Sequence, residues 1–432
     1  MSSTNNHLDI FLKHEKIAEL HISNDQLSWS YTTAWQQIGF AVSPHLPLKN
    51  NIPAGNTQIF LRNMLPEGHP FETLITYFNI SRNNTFALMR ILGPDTAGGL
   101  IMLPANTSLP KESIFRVINP LELQQRLDDR EHFNLLIWDE KPRLSVAGVQ
   151  DKLNVVVYPH GELGFGDGKL CSTHILKFER HKLAHLVLNE YITMKLAKKC
   201  GLEVAEVEVV HFGSNPALLV KRFDRILQAD LTVQRRHMID GCQALNLPPE
   251  YKYERNLGSG RDVAHIRDGA SFEKLFRCAD LCINPAVTKQ KMLSWALFNL
   301  LICNFDAHGK NVSFFVDEYG IALTPFYDLV NIKMYANFNS EMAMGFGDTF
   351  DSDSINAYQI IEFADACRLS KSFVASRLQM LANDILSNLN SVINAINATP
   401  EENAYLSKYT ELVTDRCKYF LNKIEEIKTL KI

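Results

Sequence analysis

Two aspartates and an asparagine in the C-terminal half of the chain have the types and spacing of a phosphoryl-transfer site. Asp306 follows an apolar stretch, Asn311 comes five positions later, and Asp328 follows a segment with the pattern of a β-hairpin. In protein kinases, a loop aspartate accepts the proton of the substrate hydroxyl, while an asparagine and a second aspartate hold Mg²⁺ against the phosphates. The order therefore predicts Asp306 as catalytic base and the other two residues as Mg²⁺ ligands.

Each of the three residues alone has an ordinary structural explanation, because aspartate and asparagine are common in turns and at helix N-termini. Only the three together, in this order after a buried helix, favour catalysis. His308 lies between Asp306 and Asn311. It could contact phosphate or orient the loop, although a single histidine is more often structural.

A second candidate is Lys177 in the short apolar stretch HILKF, which predicts a strand. A lysine that points inward from such a strand needs an anion, and the phosphates of ATP would supply one. Glu190 lies thirteen residues later on the apolar face of a predicted helix, where a carboxylate needs a cation. Two accounts of Glu190 stay open: an ion pair with Lys177, or a partly solvated helix edge.

The glycine-containing segments do not match a common phosphate-binding loop. SVAGVQDKL, which begins at Ser145, matches neither the GxGxxG pattern of typical kinases nor the GxxxxGK[ST] pattern of P-loop NTPases. By its own pattern it predicts a turn before a strand. The alternating Gly164, Gly166 and Gly168 are predicted to form a short hairpin tip, because no helix N-terminus follows them to bind phosphate.

The elements that must position these residues are predicted to form an α+β chain. Residues 9–103 begin with strands that turn at Asn24–Asp25 and end with the glycine-rich turn GPDTAGG before an apolar strand. Strands, one helix over 183–201 and two further strands follow, and from Ser271 onward the pattern is mainly helical. The predicted parts are residues 1–142, residues 143–270 with the nucleotide-binding strands, and residues 271–432 with the catalytic loop.

The composition is that of an ordinary globular protein. The 432 residues are 46% hydrophobic, with a formal net charge of −4 and a pI of about 6.4. General nucleic-acid-binding proteins usually have a pI above about 9, so direct DNA binding is not expected. The chain shows neither an apolar N-terminal signal segment nor an apolar run of about 18 residues. A cytoplasmic protein with reduced cysteines is therefore expected.

At these motifs the sequence resembles the HipA family of serine/threonine kinases. The matching segments are SVAGVQDKL, ILKF, NEY, VKRFDR, QALN with PPEYKYE, NFDAHGKN and PFYDL, together with NMLPEG and GPDTAGG in the N-terminal part. The resemblance covers nearly the whole chain, and NFDAHGKN in combination with SVAGVQDK is specific. It implies a two-lobed protein-kinase-like fold, with a mixed α/β N-lobe, an extra N-terminal subdomain and a mainly helical C-lobe.

Carried over to the matching positions, the resemblance repeats the assignment of the base and of the two Mg²⁺ ligands. It also implies that Lys177 contacts the ATP phosphates, and that autophosphorylation of Ser145 ejects the surrounding loop and silences the kinase. The remaining nucleotide-site residues that it implies are Val146 and Ala147 in the loop over the phosphates, Lys221 and Phe223 in the hinge that meets adenine, and His308 and Tyr327 in the wall of the site. Lys221 departs from the acidic residue of well-known members, which has little effect if backbone atoms contact adenine.

The family is the toxin half of type II toxin–antitoxin pairs. The resemblance implies ATP and Mg²⁺ as cofactors, a HipB-like helix-turn-helix antitoxin as partner, operator DNA reached indirectly through that antitoxin, and no membrane. The implied phosphoryl acceptor is a Ser or Thr of a protein substrate, with an aminoacyl-tRNA synthetase as a candidate. Two alternatives stay open: a kinase of the same fold that acts on a small molecule or lipid, and a co-repressor that binds nucleotide without turnover.

Overall fold

The structure, a computed structural model, describes residues 6–130, 132–143, 150–180, 183–336, 338 and 340–430. Ser145, Val146 and Ala147 lie outside the described residues. The chain forms two compact units that interleave along the sequence. Unit 1 comprises Met1–Arg180, Glu208–Pro249 and Phe314–Gly320, and unit 2 comprises His181–Val207, Glu250–Ser313 and Ile321–Ile432. The three-part division at residues 142 and 270 stays a prediction.

Unit 1 begins with a four-stranded antiparallel sheet in the order β3-β2-β1-β4. Its strands are β1 (His7–Leu12), β2 (Glu15–Ser23), β3 (Gln26–Tyr31) and β4 (Ile101–Pro104). The predicted turn at Asn24–Asp25 is confirmed, and a second turn at Lys13–His14 separates β1 from β2. All four turn residues have positive φ, as two-residue hairpin loops require. The helices between β3 and β4 are α1 (Thr33–Ile38), α2 (Asn56–Arg62), α3 (Gly68–Tyr77) and α4 (Thr85–Leu92).

The second sheet of unit 1 has six strands in the order β11-β12-β10-β8-β9-β5. The elements from this part of the chain are β5 (Ser113–Val117), α5 (Pro120–Asp128), β6 (Ile137–Trp138), β7 (Lys141–Pro142), β8 (Lys152–Val157), β9 (Leu163–Gly168), β10 (His174–Phe178), β11 (Val207–Phe212) and β12 (Asn215–Lys221). One face of the sheet covers a core that includes Leu153, Val155, Leu176 and Phe178. Because side chains alternate along a strand, Lys152 and Lys177 point to the opposite face.

Gly164, Gly166 and Gly168 lie along β9, so the predicted hairpin tip is wrong. A Cβ atom at Gly164 would lie 2.3 Å from the Phe115 ring, and one at Gly166 would lie 2.4 Å from the Leu170 carbonyl oxygen. Glycine in a strand interior often marks such a close approach. These glycines therefore allow neighbouring groups to pack against β9. This packing explains the glycines without a phosphate-binding loop.

Unit 1 ends with short elements, which are β13 (Arg225–Leu227), β14 (Val233–Arg235), β15 (Met238–Asp240), α7 (Gly241–Leu245) and most of β16 (Ser313–Asp317). Unit 2 is mainly helical, as predicted for the chain beyond Ser271. Its elements are α6 (Leu186–Lys199), α8 (Phe272–Cys278), α9 (Pro285–Leu301), β17 (Gly320–Leu323), β18 (Glu341–Phe346), β19 (Thr349–Asp351), α10 (Ala357–Ala366), α11 (Lys371–Ile393), α12 (Pro400–Leu421) and α13 (Ile424–Thr429). Helix α11 packs against α6, α9, α12 and α13.

Two general expectations can be compared with the fold. The eight cysteines are all buried and form no disulfide, as expected for reduced core thiols. Among the helices of the described residues, none combines the length and the apolar character that a membrane span requires.

Candidate active site

Helix α9 leads into the loop that carries Asp306. The helix starts at Pro285, which has no N–H group and therefore leaves no unsatisfied donor in the first turn. The Asn284 side chain accepts a hydrogen bond from the Val287 N–H. It ends at Leu301, and Cys303 then adopts a left-handed conformation with φ 57°. That conformation turns the chain out of the helix axis immediately before the catalytic loop.

Asn304 fixes the main chain at both predicted acidic positions. The Asp306 N–H donates to Asn304 Oδ1 at 3.2 Å, and Asn304 Nδ2 donates to the Asp328 carbonyl oxygen at 3.4 Å. The same Nδ2 donates to Asn299 Oδ1 on α9 at 2.9 Å. Asn304 is buried and was not assigned a role from the sequence. It connects Asp306, Asp328 and helix α9 by neutral hydrogen bonds.

Asn311 and His308 close the loop around the Asp306 carbonyl oxygen. Asn311 Nδ2 and the His308 N–H both donate to that oxygen at 2.8 Å. The His308 ring accepts a hydrogen bond from the Lys310 N–H at 3.3 Å. These contacts place His308 within the hydrogen bonding of the loop, and a contact of His308 with phosphate stays a prediction. Because the Asn311 amide nitrogen is used inside the loop, its Oδ1 is the atom suited to bind a cation.

Tyr327 and Asp328 follow strands β16 and β17, which lie between Asn311 and Asp328 as predicted. The Tyr327 hydroxyl donates to the Lys310 carbonyl oxygen at 2.8 Å and lies 2.6 Å from Ser313 Oγ. Asp328 has φ 60°, a conformation that costs a non-glycine residue on the order of 1–3 kcal/mol. Such strained residues persist where surrounding contacts hold them, and they cluster at functional sites.

The chain just beyond Asp328 is held by α6. Asn189 Nδ2 donates to the Asn331 carbonyl oxygen at 2.9 Å, and the Asn331 N–H donates back to Asn189 Oδ1 at 2.8 Å. Asn189 is fully buried and belongs to the NEY segment. This reciprocal pair explains how the strained backbone at Asp328 can be maintained.

Tyr253 contacts the predicted base directly. Its hydroxyl donates to Asp306 Oδ1 at 2.5 Å, and its ring lies edge-on to His308 with centroids 5.1 Å apart. Tyr253 stands in the PPEYKYE segment, for which the sequence suggested no role. A hydrogen bond to one carboxylate oxygen restricts the orientation of the Asp306 side chain.

The neighbouring Glu254 anchors Tyr253. Its carboxylate accepts hydrogen bonds from the Gly345 N–H at 2.8 Å and from Arg267 Nε at 2.7 Å. Burial raises the pKa of Glu254, and the Arg267 cation opposes that effect. The same strand, β18, binds the catalytic loop, because the Ala343 N–H donates to the Phe305 carbonyl oxygen at 2.9 Å. Tyr253 and Asp306 are therefore positioned from one common strand.

In unit 1, Lys177 lies directly opposite Lys152 in the pairing of β10 with β8. The two side chains share one face of the sheet and are buried, at 8% and 6% exposed. Like charges at directly opposed strand positions destabilise a sheet, and buried ammonium groups need anionic partners. This face of the six-stranded sheet therefore carries two neighbouring positive charges.

Lys221 and Phe223 lie at the end of β12, in a segment fixed by a buried ion network. Lys221 is exposed, and the Phe223 ring meets Phe315 edge-on at 5.8 Å. Asp224 Oδ2 lies 2.8 Å from an Arg222 nitrogen and 2.7 Å from an Arg225 nitrogen. These cations hold the pKa of Asp224 well below its usual range, against the effect of burial.

The same ion network also binds the GPDTAGG turn. The Gly98 N–H donates to Asp224 Oδ2 at 2.8 Å, and Arg225 donates to the Gly98 carbonyl oxygen at 2.7 Å. Arg225 also contacts Asp95 at 3.2 Å. The turn and the segment after β12 are therefore a single buried assembly, although about 126 residues separate their members.

The family is decided by comparison with known proteins. The HipA N-terminal domain model matches residues 8–103, and the HipA-like C-terminal domain model matches residues 144–389. The chain belongs to the HipA family. It is 45% identical over 410 residues to the serine/threonine-protein kinase toxin HipA of Shewanella oneidensis, covering 94% of each chain. It is 30% identical to a kinase-named protein, Y4mE, of Sinorhizobium fredii, covering 91% of this chain and 93% of that one.

A solved HipA structure has the same fold. The HipA chain in a complex of Shewanella oneidensis HipA, HipB and operator DNA superposes with a TM-score of 0.91 at 43% identity. The match covers 98% of this chain and 100% of that one. The resemblance inferred from the motifs is thus confirmed, and the described chain has the mixed α/β fold of HipA.

The structure shows the surroundings of the predicted site residues in unit 2. Unit 2 brings Asp306, His308, Asn311 and Tyr327 into one hydrogen-bonded loop, to which Asn304 joins Asp328. Glu190 on α6 is 2% exposed, so a partly solvated helix edge is not its environment. Its pairing with Lys177 stays a prediction.

Proposed function

We propose that this HipA-family chain is a serine/threonine protein kinase and the toxin of a type II toxin–antitoxin pair. It transfers the γ-phosphoryl group of ATP to a protein hydroxyl. The observation that carries the proposal is the hydrogen-bonded loop in which Asn304 and Asn311 hold Asp306 and Asp328, in a chain 45% identical to a named serine/threonine-protein kinase toxin. The proposal includes a two-lobed kinase-like fold, with an extra N-terminal subdomain and a mainly helical C-lobe.

Asp306 is the base of the proposed reaction. Its carboxylate takes the proton of the acceptor hydroxyl while the hydroxyl oxygen attacks the γ-phosphorus, and the bond to the bridging oxygen of ADP breaks. The Tyr253 hydroxyl, bonded to Oδ1, keeps the carboxylate in one orientation through this step. Positioning of this kind is a main source of catalysis in phosphoryl transfer, where the protein does little covalent chemistry.

The donor atoms near Asp306 fit Mg²⁺, which prefers hard oxygen ligands and keeps several waters. Asn311 Oδ1 and the Asp328 carboxylate are the proposed ligands. Bound Mg²⁺ would neutralise charge on the phosphates. The loop holds Asn311 by its amide nitrogen, so its oxygen can remain in place whether or not nucleotide is bound.

Unit 1 supplies the proposed nucleotide contacts. Lys177 and the opposed Lys152 would bind phosphate oxygens, because two neighbouring ammonium groups attract anionic charge to this face of the sheet. Lys221 and Phe223 would meet adenine, with Val146 and Ala147 in the loop over the phosphates. Glu190 is proposed to orient Lys177.

Ser145 is proposed as an autophosphorylation switch. A phosphoserine carries about −1.5 to −2 charges at pH 7, which would repel the ATP phosphates next to the loop. The loop would then leave the site and ATP would no longer bind. This role rests on the family resemblance of SVAGVQDKL.

The proposed partners follow from the family. The solved Shewanella structure contains HipA, HipB and operator DNA. We infer that this chain binds a HipB-like helix-turn-helix antitoxin and reaches DNA through it, which agrees with a net charge of −4. We infer a cytoplasmic location from this proposed partnership. An aminoacyl-tRNA synthetase is the candidate class of protein substrate.

The test of the activity is incubation of the purified chain with γ-labelled ATP, with and without a bacterial lysate whose endogenous kinases have been inactivated. Labelled protein, mapped to Ser or Thr, is the expected result. Asp328→Asn should reduce labelling, and added Mg²⁺ should partly restore it because the lost interaction is with the metal. ATP consumption with label only on small molecules or lipids would favour a kinase for those acceptors. ATP binding without turnover would favour the co-repressor.

A further inference from the structure

The first hairpin of unit 1 carries a second cluster of ligand-type side chains, outside the proposed catalytic machinery. His7 and Asp9 lie two residues apart on β1, and Glu19 and His21 lie two residues apart on β2. Residues with this spacing share one face of a strand. The strand register places His7 opposite His21 and Asp9 opposite Glu19. Four side chains therefore form a square on one face of the sheet.

The donor atoms of these side chains converge. His21 Nε2 lies 3.2 Å from Glu19 Oε2, and His7 Nε2 lies 3.7 Å from the same oxygen. His7 Nε2 also lies 3.1 Å from Asp9 Oδ1. In a tetrahedral site with metal–ligand bonds of about 2.0–2.1 Å, the ligand atoms are about 3.3 Å apart. The separations of Glu19 Oε2 from the two histidine nitrogens, 3.2 and 3.7 Å, are close to that value, and the ligand atoms of His7, Glu19 and His21 all lie within 4.8 Å of one another.

The surroundings allow a cation to enter and to be held. His7, Glu19 and His21 are partly exposed, whereas the Asp9 carboxylate is buried at the base of the cluster. The Asn106 N–H donates to Asp9 Oδ2 at 2.9 Å. Lys16 Nζ lies 2.7 Å from Asp9 Oδ1 and 2.7 Å from Glu19 Oε1. Lys16 thus contacts the other oxygen of Glu19, and Oε2 remains directed at the two imidazoles.

We propose that His7, Glu19 and His21 bind a divalent transition-metal ion such as Zn²⁺, with water in the fourth position, whereas Asp9 Oδ1 is paired with Lys16. Two imidazole nitrogens and carboxylate oxygens suit Zn²⁺ and its neighbours better than Mg²⁺, which prefers oxygen ligands alone. The bound ion joins β1 to β2 and stabilises the sheet on which GPDTAGG and its strand β4 depend. The proposal is independent of the kinase function, because none of these residues belongs to the catalytic loop or to the proposed nucleotide contacts.

The test is calorimetric titration of the full chain, prepared without a polyhistidine tag, with Zn²⁺ in a buffer that contains excess Mg²⁺ to saturate oxygen-only sites. One Zn²⁺ per chain should bind. His21→Ala should weaken binding by at least about 100-fold, because even the partners of metal ligands contribute about 10–100-fold. The matched control is His211→Ala, which removes an exposed histidine from strand β11 and should leave the affinity unchanged.

A second measurement separates ligand loss from misfolding. The thermal midpoint of the wild type should rise with Zn²⁺ concentration, as for any ligand that binds only the folded state. Glu19→Gln, which keeps the size of the side chain, should keep the metal-free midpoint and lose the rise. Equal Zn²⁺ affinity of the wild type, Glu19→Gln and His21→Ala, or no stoichiometric binding at all, would overturn the metal site and leave an ion-pair cluster centred on Lys16.

Discussion

Two regions of the molecule hold charged residues in fixed places. The loop around Asp306 in unit 2 uses neutral hydrogen bonds, whereas the segment after β12 in unit 1 uses ion pairs. In the loop, neutral amides of Asn304 and Asn311 bind the main chain around Asp306. In unit 1, Asp224 is compensated by two buried arginines that also hold the GPDTAGG turn. In the proposed mechanism the loop carboxylates therefore serve chemistry, whereas the charges of the ion network stabilise the fold. Loss of charge should affect activity in one region and stability in the other.

The largest structural effect is expected at Asp224. Asp224→Asn leaves Arg222 and Arg225 buried with reduced compensation, and breaking a buried pair in this way costs about 3–5 kcal/mol. Urea denaturation of the full chain measures this loss. The matched control is Glu318→Gln, which breaks the exposed Lys13–Glu318 pair and should change the free energy of unfolding by no more than about 1 kcal/mol. Equal losses in the two variants would contradict the role assigned to the buried network.

A smaller and pH-dependent effect is expected at His237, which packs beneath the GPDTAGG turn. Its Nε2 donates to the Val42 carbonyl oxygen at 2.8 Å, and Nδ1 is buried with no hydrogen-bond partner among the described residues. Burial lowers the pKa of His237 to about 4. The unfolded chain therefore takes up a proton near pH 6.5 while the folded chain does not. The free energy of unfolding should therefore be highest above pH 6.5 and should fall by roughly 3 kcal/mol as the pH drops towards 4.

The control for this prediction is a histidine of ordinary exposure. His237→Gln, which can still donate to Val42, should flatten the fall of unfolding free energy between pH 6.5 and 4. His160→Gln, at an exposed turn, should leave it as in the wild type. A wild-type stability that does not change over this range would show that His237 is protonated in the folded chain.

The smallest effect is expected at Tyr253. Tyr253→Phe keeps the ring against His308 and removes only the hydroxyl that binds Asp306. Misplacement of a reacting group by about 1 Å can lower a rate by about 100-fold, so the loss of this orienting hydrogen bond should lower kcat by roughly tenfold or more. The KM for ATP and the free energy of unfolding should not change, which separates a positioning role from a structural one. A tyrosine that merely packs would leave kcat unaltered.

The sequence predicted the parts of the site that depend on local spacing. Asp306 and Asn311 are five residues apart, and a hairpin leads to Asp328, so their order could be recognised directly. Tyr253 could not be found in this way, because its contact with Asp306 spans 53 residues and no spacing rule connects them. Asn304 was hidden for a different reason, since an asparagine beside a turn has many ordinary explanations.

In the fold, too, elements set by neighbouring residues could be predicted, whereas features that depend on distant segments could not. Hydrophobic alternation and turn residues indicated the first hairpins, β10 and the long C-terminal helices. The glycines of β9 were misassigned because their reason lies in the Phe115 ring and the Leu170 carbonyl group, which approach from other segments. The hydrogen bond from the Gly98 N–H to Asp224 likewise joins distant segments, and no local pattern predicts it.

The central claim, that the charge of Asp306 serves chemistry and not structure, is tested most directly by one paired measurement on Asp306→Asn. We predict that single-turnover phosphoryl transfer falls by about 10²–10⁴-fold, while the Kd for MgATP and the free energy of unfolding stay at wild-type values. Asp365→Asn, at an exposed position on α10, should leave all three unchanged. Near-wild-type transfer by Asp306→Asn, or a loss of activity that is matched by a loss of folding stability, would contradict the account.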